Sequence, residues 1–453
     1  MELGLIAIGI ILVVIIGAIK TRKCIEFMIC GSLLASIVLY KLDFLNQWAI
    51  TFQEVLYTED SVWLVLVCCL FSSLIALLQA SKGTFGFSAL IEKICNSPRK
   101  TVLTSFVLGI LIFVDDYLNI LTVGVCMKKV FDKHKLPREA LAYMLDSTGA
   151  PVCTLLPFST WAVFFAALFF QEDSVIALGF DTAIDAYTAA IPYAFYPIFT
   201  LVVIFLFAMG WMPKMGAMKK AYKRVEETGK VYSDISKKYN HTRDGELEET
   251  GNIWDFLIPM IVLVAIAVVT GDLLYGVIIT IFVCFALYVP RKVVSVDNFI
   301  NVIMTGFGEM LPIVGLVLMG FVLENFVSRM GMTEYIIEKI TPYLIPELFS
   351  AVIFVLVAFL TFTTGSNWGM SAVCIPIVFP LGAAVGADVI LTMAAVMSGG
   401  AFGSHACFYS DATVLASSSA GVDNIEHAAT QLPYVLVASG LSIIAFAICG
   451  FIM

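Results

Sequence analysis

The sequence predicts an all-α polytopic membrane protein, with about ten spanning helices plus two re-entrant hairpins in two inverted-topology repeats with broken helices. Hydrophobic residues make up 60% of the 453-residue chain and charged residues 13%, whereas soluble domains are roughly 45–50% apolar and 25% charged. The apolar residues form long runs between polar seams, and polar breaks recur inside the runs of both halves. This excess of apolar surface is expected to face lipid.

Charge and cysteine content narrow the class of protein further. A net charge of −9 argues against a nucleic-acid partner. The 11 cysteines are an odd number without paired spacing, so they predict buried thiols and no disulfide framework. The first apolar run, 2–19, lacks a preceding basic stretch and a small-residue cleavage site, and we expect it to remain as a span.

Two apolar runs are predicted to be re-entrant hairpins. Basic seams flank the run 101–127 on both sides, and cytoplasmic connections are enriched in Lys and Arg. This run therefore enters and leaves from the cytoplasm, with FVDDYLN (113–119) at its tip. The run 349–385 has a comparable break, TTGSNWG (363–369), and is expected to enter from outside.

The predicted organisation has five segments with an internal repeat. In order, these are N-terminal helices (1–60), a first inverted repeat (61–212) with hairpin 101–127 and broken helix 140–170, a cytoplasmic linker (213–252), a connecting helix pair with an interfacial helix (253–306), and a second inverted repeat (307–453) with hairpin 349–385 and broken helix 389–421. DSTGAP (146–151) aligns with MSGGAF (397–402). So weak a match also arises by chance, but the topology favours a repeat. The charge run of the linker is interpreted as solvated.

The first hairpin tip carries the strongest chemical signal. Asp115 and Asp116 lie within an apolar run, where a carboxylate costs a few kcal/mol. Helical spacing brings Asn119 to the same face. Oxygen atoms in this arrangement suit Na⁺, and a buried carboxylate can also carry a proton. The alternative is a shallow tip in water whose carboxylates only cap helices.

The break at the start of the broken helix 140–170 adds Asp146, Ser147 and Thr148. Asp146 is either the N-cap of a half-helix or an ion ligand, and one residue can serve both purposes. Asp115, Asp116, Asn119 and Asp146 form the predicted Na⁺-binding set.

The second half contributes fewer charges. Thr364, Ser366 and Asn367 form an uncharged break that suits a cation bound through carbonyls or an organic substrate. His405 lies six residues before Asp411, with hydroxyl groups between them. A single His in an apolar run is often only a core residue, but these neighbours favour a binding role.

No enzyme is predicted. The chain has neither HExxH nor GxxxxGK[ST], which argues against a zinc hydrolase and a built-in ATPase. We expect no cofactor, with Na⁺ and H⁺ as transported or coupling ions. Aromatic residues near the breaks either line a solute pocket or pack in the bundle; they are Tyr117, Trp161, Trp368 and Tyr409.

Four stretches resemble the NhaC-type sodium/proton antiporters of the ion-transporter superfamily. They are FVDDYLNILTVG (113–124), LAYMLDSTGAPVC (141–153), TGSNWGM (364–370) and SDATVLASSSAGVDNIEHAATQLPY (410–434). The resemblance implies two inverted repeats with hairpins, and a homodimer is compatible with it. Ser404 replaces an acidic residue of the family pattern, and Asn367 replaces a Thr or Ser. The loss of one carboxylate weakens the case for simple Na⁺/H⁺ exchange. Some relatives move organic acids or amino acids, and Ser404 and Asn367 could belong to such a site.

The favoured hypothesis is a sodium/proton antiporter that works by alternating access, in contact with membrane lipid. The alternative is a Na⁺- or H⁺-coupled transporter or exchanger of a small organic solute, such as an amino acid or carboxylate. A channel or scaffold is disfavoured because the charged breaks occur in both repeats. We expect a multi-pass protein of the inner or plasma membrane of a bacterium.

Overall fold

The computed structural model of the chain describes residues 2–453 except 22, 84–85, 87–90, 92–93, 240–250, 271, 333–334, 336–343, 366 and 409. The described residues form helices and connecting loops, without a strand. Six of the described helices are long and apolar enough to cross a membrane, or seven if one pair bent by 53° counts as a span, and shorter apolar helices accompany them. The all-helical, multi-pass class is confirmed, while the number of crossings stays a prediction.

The helices of the first half precede the linker. They are α1 (Glu2–Thr21), α2 (Cys24–Tyr40), α3 (Phe44–Leu56), α4 (Glu59–Ala80), α5 (Pro98–Leu111), α6 (Asp116–Lys133), α7 (Arg138–Thr148), α8 (Ala150–Thr154), α9 (Thr160–Phe169), α10 (Asp173–Ile176), α11 (Ala183–Ala190) and α12 (Phe195–Ala208).

The linker and second half continue the series. Their helices are α13 (Gly216–Thr228), α14 (Trp254–Thr270), α15 (Leu273–Tyr288), α16 (Val296–Arg329), α17 (Pro346–Thr364), α18 (Asn367–Val385), α19 (Val389–Ala406), α20 (Asp411–Ala420) and α21 (Asn424–Ile452).

Both predicted hairpins are pairs of helices with a short break between them. Helix α5 ends at Leu111 and α6 begins at Asp116, and the two helices pack together. Helix α17 ends at Thr364 and is capped by Gly365, whose φ of +69° reverses the chain without the cost a side chain would add. Helix α18 then packs back against α17. Both breaks fall where the polar residues interrupt the apolar runs.

Both predicted broken helices are also interrupted in the structure. Between α7 and α9 lie the short helix α8 and a loop, while a loop of four residues separates α19 from α20. All residues of α9 are buried, including Trp161. Large exposed apolar side chains instead cover helices such as α21, as expected of a lipid-facing surface; examples are Leu436, Leu441 and Ile444.

Two segment assignments differ from the sequence-based prediction. The interfacial piece within 253–306 and the following span form one continuous helix, α16, because Gly306 packs closely on α4 and does not interrupt the backbone. The last helix begins at Asn424, nine residues before its apolar run, because Asp423 caps it by accepting hydrogen bonds from the N–H groups of Ile425 and Glu426.

The linker is not simply a solvated chain. Helix α13 buries Met218, Ala221 and Val225, and it contacts α21. Arg224 donates two hydrogen bonds of 2.7 and 2.9 Å to the carboxylate of Glu139, at the start of α7. Ser233 and Ser236 are both bonded to the carboxylate of Glu426 on α21, at 2.6 and 2.7 Å. The solvated interpretation therefore holds for exposed side chains such as Lys220 and is wrong for the segment as a whole.

Candidate functional site

The break between α5 and α6 holds two buried carboxylates. Asp115 caps α6 by accepting a hydrogen bond of 2.9 Å from the Leu118 N–H, and its other oxygen accepts one of 3.2 Å from the Thr160 hydroxyl. Asp116 accepts from the indole N–H of Trp161 at 3.2 Å. Asp115 is 8% exposed and Asp116 is 2% exposed. Asp115 thus caps a helix, as the alternative interpretation expects, but in a buried position.

Asp411 connects this break to the second half of the chain. It is the exposed first residue of α20, and its carboxylate accepts a hydrogen bond from the Tyr117 hydroxyl. Its charge also acts on Asp116. We define Asp115, Asp116 and Asp411 as the acidic cluster. The cluster extends from an exposed carboxylate to two buried ones.

Asn119 holds the backbone around the acidic cluster. Its amide nitrogen lies 2.5, 2.8 and 3.1 Å from the carbonyl oxygens of Gly109, Ile112 and Thr148, respectively. The amide oxygen of Asn119 is buried without a hydrogen-bond partner. The nitrogen therefore joins α5 to the end of α7, and the oxygen stays available to a ligand.

Asp146 is the centre of a second polar group. One of its oxygens accepts hydrogen bonds from Thr413 at 3.0 Å and Gln431 at 2.9 Å, and it lies 3.0 Å from Nε2 of His427. The other oxygen has no partner, and the residue is 1% exposed. Asp146 lies inside α7, so the N-cap interpretation is wrong. We call Asp146, Thr413, His427 and Gln431 the Asp146 cluster.

His405 adjoins the Asp146 cluster. Its ring nitrogens Nε2 and Nδ1 lie 2.9 Å from the Ser147 hydroxyl and 2.7 Å from the Tyr196 hydroxyl. Gln431 donates to the His405 carbonyl at 2.6 Å. Thr148, by contrast, donates its hydroxyl proton to the Met144 carbonyl within its own helix. Ser147 and His405 are therefore brought together across the two halves, whereas Thr148 supports its helix.

The second hairpin approaches the acidic cluster through aromatic rings. Asn367, 5% exposed, accepts a hydrogen bond of 2.6 Å from the Trp368 N–H at the start of α18. The centre of the Trp368 ring lies 5.2 Å from that of the Trp161 ring, whose N–H donates a hydrogen bond to Asp116. Ser366 and Tyr409 lie outside the described residues, as does the side chain of Thr364.

The two broken helices use the same capping pattern. The Ser159 hydroxyl donates to the carbonyls of Cys153 and Leu156, six and three residues earlier, and accepts from the N–H of Ala162. The Ser410 hydroxyl lies within hydrogen-bonding distance of the carbonyls six and three residues earlier, and it accepts from the N–H three residues later. Each serine thus fixes the start of a helix at the site, α9 or α20.

The predicted Na⁺ ligands do not form one ligand cage. Asp115 and Asp116 belong to the acidic cluster and Asp146 to the other cluster, while Asn119 lies against backbone carbonyls. Within the described residues, no group of three or more His, Cys, Asp or Glu side chains is arranged to hold a metal ion. Their role as Na⁺ ligands stays a prediction.

Sequence reasoning missed three partners of Asp146. His427 and Gln431 lie four residues apart and so share one face of α21, and Thr413 lies in the first turn of α20. The pair falls within the stretch IEHAATQLPY, but the predicted span begins after it. Two polar residues at helical spacing just before an apolar run are the signal that identifies such a pair.

Comparison with known proteins identifies the family. The model of the Na⁺/H⁺ antiporter family matches residues 174–451. The chain belongs to the Na⁺/H⁺ antiporter family. The matched region contains Asn367, His405 and the Asp146 partners of the second half. The family members are membrane transporters, and the chain is accordingly a transporter and not an enzyme.

Three further comparisons show proteins that are similar to this chain in sequence or in fold. An uncharacterized protein of Haemophilus influenzae is 25% identical over 479 residues, covering 97% of this chain and 90% of that protein. MtrF of Neisseria gonorrhoeae, from a class of antimetabolite efflux pumps, has a similar fold with a TM-score of 0.58 and 17% identity over 90% of this chain and 85% of its own. The YdaH transporter of Alcanivorax borkumensis has a similar fold with a TM-score of 0.58 and 15% identity, over 90% of this chain and 89% of its own.

Proposed function

We propose that this member of the Na⁺/H⁺ antiporter family is a sodium/proton antiporter of the bacterial inner or plasma membrane. The observation that carries the proposal is the acidic cluster, in which the exposed Asp411 of one half is bonded through Tyr117 to the segment that holds buried Asp116. Adjacent carboxylates in an apolar interior are stabilised by a cation that binds them. Na⁺ and H⁺ compete for the same oxygens, and this competition supports exchange of one ion for the other.

Helix α20 is the element best positioned to couple binding to a conformational change. Its first residue, Asp411, accepts a hydrogen bond from Tyr117 of the first half, and Thr413 donates one to Asp146. A displacement of α20 relative to the first half breaks both contacts together. Alternating access in transporters with repeated halves often takes this form, with one bundle moving against the other around the site.

The test is Na⁺-driven proton movement in liposomes. Purified protein is reconstituted with a pH-sensitive dye inside, and Na⁺ is added outside. We expect the internal pH to rise, no rise with Asp116→Asn, and a normal rise with Asp297→Asn, which makes the same change at an exposed residue at the start of α16. No pH response from folded, correctly inserted wild-type protein contradicts the proposal.

A second candidate is ion-coupled transport of a small organic solute. The Trp161 ring, whose N–H donates to Asp116, and the Trp368 ring packed against it favour this candidate, because aromatic rings near a carboxylate suit an organic cation or zwitterion. The similar fold of MtrF is consistent with this alternative. Uptake of labelled amino acids and carboxylates by the same liposomes distinguishes the candidates: solute uptake that depends on Trp368, without Na⁺-driven proton movement, supports the second.

A further inference from the structure

A polar cavity lies apart from the candidate functional site. Its volume is about 360 Å³, and it is formed at the ends of α3, α4, α9 and α16. Eight of its ten lining residues are polar or charged: Glu54, Thr58, Ser61, Gln171, Glu324, Asn325, Ser328 and Arg329. Ten residues separate Gln171 from Trp161 at the acidic cluster, mostly along α9, and at 1.5 Å per residue they span about 15 Å. The cavity is therefore distinct from the acidic cluster.

The cavity carries unbalanced negative charge. Glu324 lines it, and Glu172, which is 5% exposed, lies close enough for the two carboxylates to repel each other. Burial, and then the carboxylate of Glu324, raise the pKa of Glu172 to about 9. The cation that lines the cavity, Arg329, is already paired with Glu54 at 3.1 Å. Within the described residues, no Lys, Arg or His forms an ion pair with Glu172 or Glu324.

Buried polar atoms without partners line the same space. The Ser61 hydroxyl is such an atom, and Ser61 is 1% exposed. The Asn325 amide oxygen also lacks a partner. Because buried polar groups in proteins are nearly always hydrogen-bonded, these oxygens, like the unpartnered amide nitrogen of Gln171 in the same lining, are expected to bind water or a ligand. A cavity of this volume has room for several water molecules at roughly 30 Å³ each, so the ligand can enter with part of its hydration shell.

The chemistry of the cavity favours a hard monovalent cation. Carboxylate, hydroxyl and amide oxygens are ligands for hard cations. A tightly held divalent ion usually has more carboxylates than two, and no three-residue metal site occurs among the described residues. Glu324 also lines a small, mainly apolar pocket together with Ala372 and Val373 of α18.

We propose that this cavity is a second Na⁺-binding site, in which Glu324, the Ser61 hydroxyl and the Asn325 amide oxygen bind the ion and Glu172, once it is ionised, supplies a second negative charge. The seam 41–60 and the seam that follows the run 140–170 are rich in carboxylates and poor in Lys and Arg, which predicts that both are extracellular, and Glu54 and Gln171 at these seams line this cavity. Na⁺ bound in this cavity would be held at the extracellular side, from which it enters the protein in the proposed exchange for H⁺. The site goes beyond the proposed antiport and does not depend on it.

The test is equilibrium Na⁺ binding to purified full-length protein in an Asp116→Asn background, measured by calorimetry at pH 9 in a choline buffer. We expect this variant to keep a Na⁺ site, and added Glu324→Gln to weaken it about tenfold or more. Ser61→Ala is expected to weaken the site several-fold without changing any charge. Glu309→Gln, at an exposed position on the same helix, is the matched control and should have no effect.

Several outcomes overturn the proposal. Absence of Na⁺ binding by the Asp116→Asn variant overturns it. Binding that stays equally tight after Glu324→Gln and Ser61→Ala also overturns it, and Glu172 and Glu324 then hold only a shared proton. Tighter binding of Ca²⁺ than of Na⁺ overturns the monovalent assignment. Size-exclusion chromatography and thermal unfolding identify a variant that fails to fold. If Glu324→Gln is such a variant, Na⁺ binding by Ser61→Ala decides whether the proposal stands. Failure of Na⁺-driven proton movement in the wild type contradicts the antiport proposal and leaves this binding result unaffected.

Discussion

The Tyr117 hydroxyl donates a hydrogen bond to the carboxylate of Asp411, which lies 294 residues later in the chain. This bond joins the hairpin of the first half to the broken helix of the second. It also connects an exposed carboxylate to the residue that follows buried Asp116. The bond is therefore expected to form in one conformation of the transport cycle and to break in another.

Removing the Tyr117 hydroxyl is expected to slow transport without unfolding the protein. Tyr117→Phe keeps the ring but loses a hydrogen bond to a charged group, worth about 1.5–3 kcal/mol, so the rate should fall by roughly tenfold or more. The measurement is the initial rate of Na⁺-driven pH change in liposomes. Tyr275→Phe, at an exposed tyrosine, is the control. An unchanged rate in Tyr117→Phe shows that the bond does not contribute to transport.

Asp146 is expected to be required for both stability and transport. Asp146→Ala leaves the donors on Thr413, His427 and Gln431 buried without their acceptor, at a cost of about 1–3 kcal/mol for each group left unsatisfied. Asp146→Asn keeps the shape and one acceptor oxygen, and should lose transport with a smaller loss of stability. Thermal unfolding in detergent, followed by tryptophan fluorescence, measures the difference. Equal stability of Asp146→Ala and wild type contradicts the hydrogen bonding described.

The ion pair of the linker is expected to contribute strongly to stability. The Glu139 side chain is 2% exposed, and Arg224→Ala leaves its carboxylate buried and unpaired, at a cost of about 3–5 kcal/mol. Lys223 and Glu227 form an exposed pair on the same helix, so Lys223→Ala should change stability by less than about 1 kcal/mol. Thermal unfolding of both variants and limited proteolysis of 213–239 measure the effects. If both variants are equally stable, the linker is not docked through Arg224.

Lys214 is expected to make stability depend on alkaline pH. Burial lowers its pKa to about 8 from the usual 10.5, although its ammonium lies 3.7 Å from the centre of the Phe207 ring. Between these values the unfolded chain binds more protons than the folded protein, so the contribution of Lys214 to stability rises with pH. Thermal midpoints measured from pH 7 to 10.5 should rise more, or fall less, in wild type than in Lys214→Met. Exposed Lys220→Met is the control and should follow the wild type.

Hydropathy predicted the fold class well because lipid contact imposes a strong constraint on composition. The polar tips were located by the same constraint, since Asp115 and Gly365 both end an apolar run at a break. The contacts among the site residues were not predictable. That Asp146 meets His427 depends on how α7 packs against α21, which no local pattern in the sequence specifies.

The linker shows a different limit of sequence reasoning. Its many Lys and Arg residues indicate a solvated segment, and some of them are exposed. Met218, Ala221 and Val225 recur at spacings of three and four residues and form a buried face. The overall charge obscured this face, and Arg224 on the same helix proved to be the partner of a buried carboxylate.

The capped breaks at Ser159 and Ser410 have a consequence for charge neutrality in the interior. Each starts a helix whose N-terminal end carries a partial positive charge of about half a unit, one beside Asp115 and the other at Asp411. Within the described residues, no Lys or Arg is paired with Asp115, Asp116, Asp146 or Asp411. The backbone offsets only part of the negative charge. We expect protons or mobile cations to supply the remaining countercharge, so that the pH and ionic composition of the surrounding solution determine how this interior is neutralised.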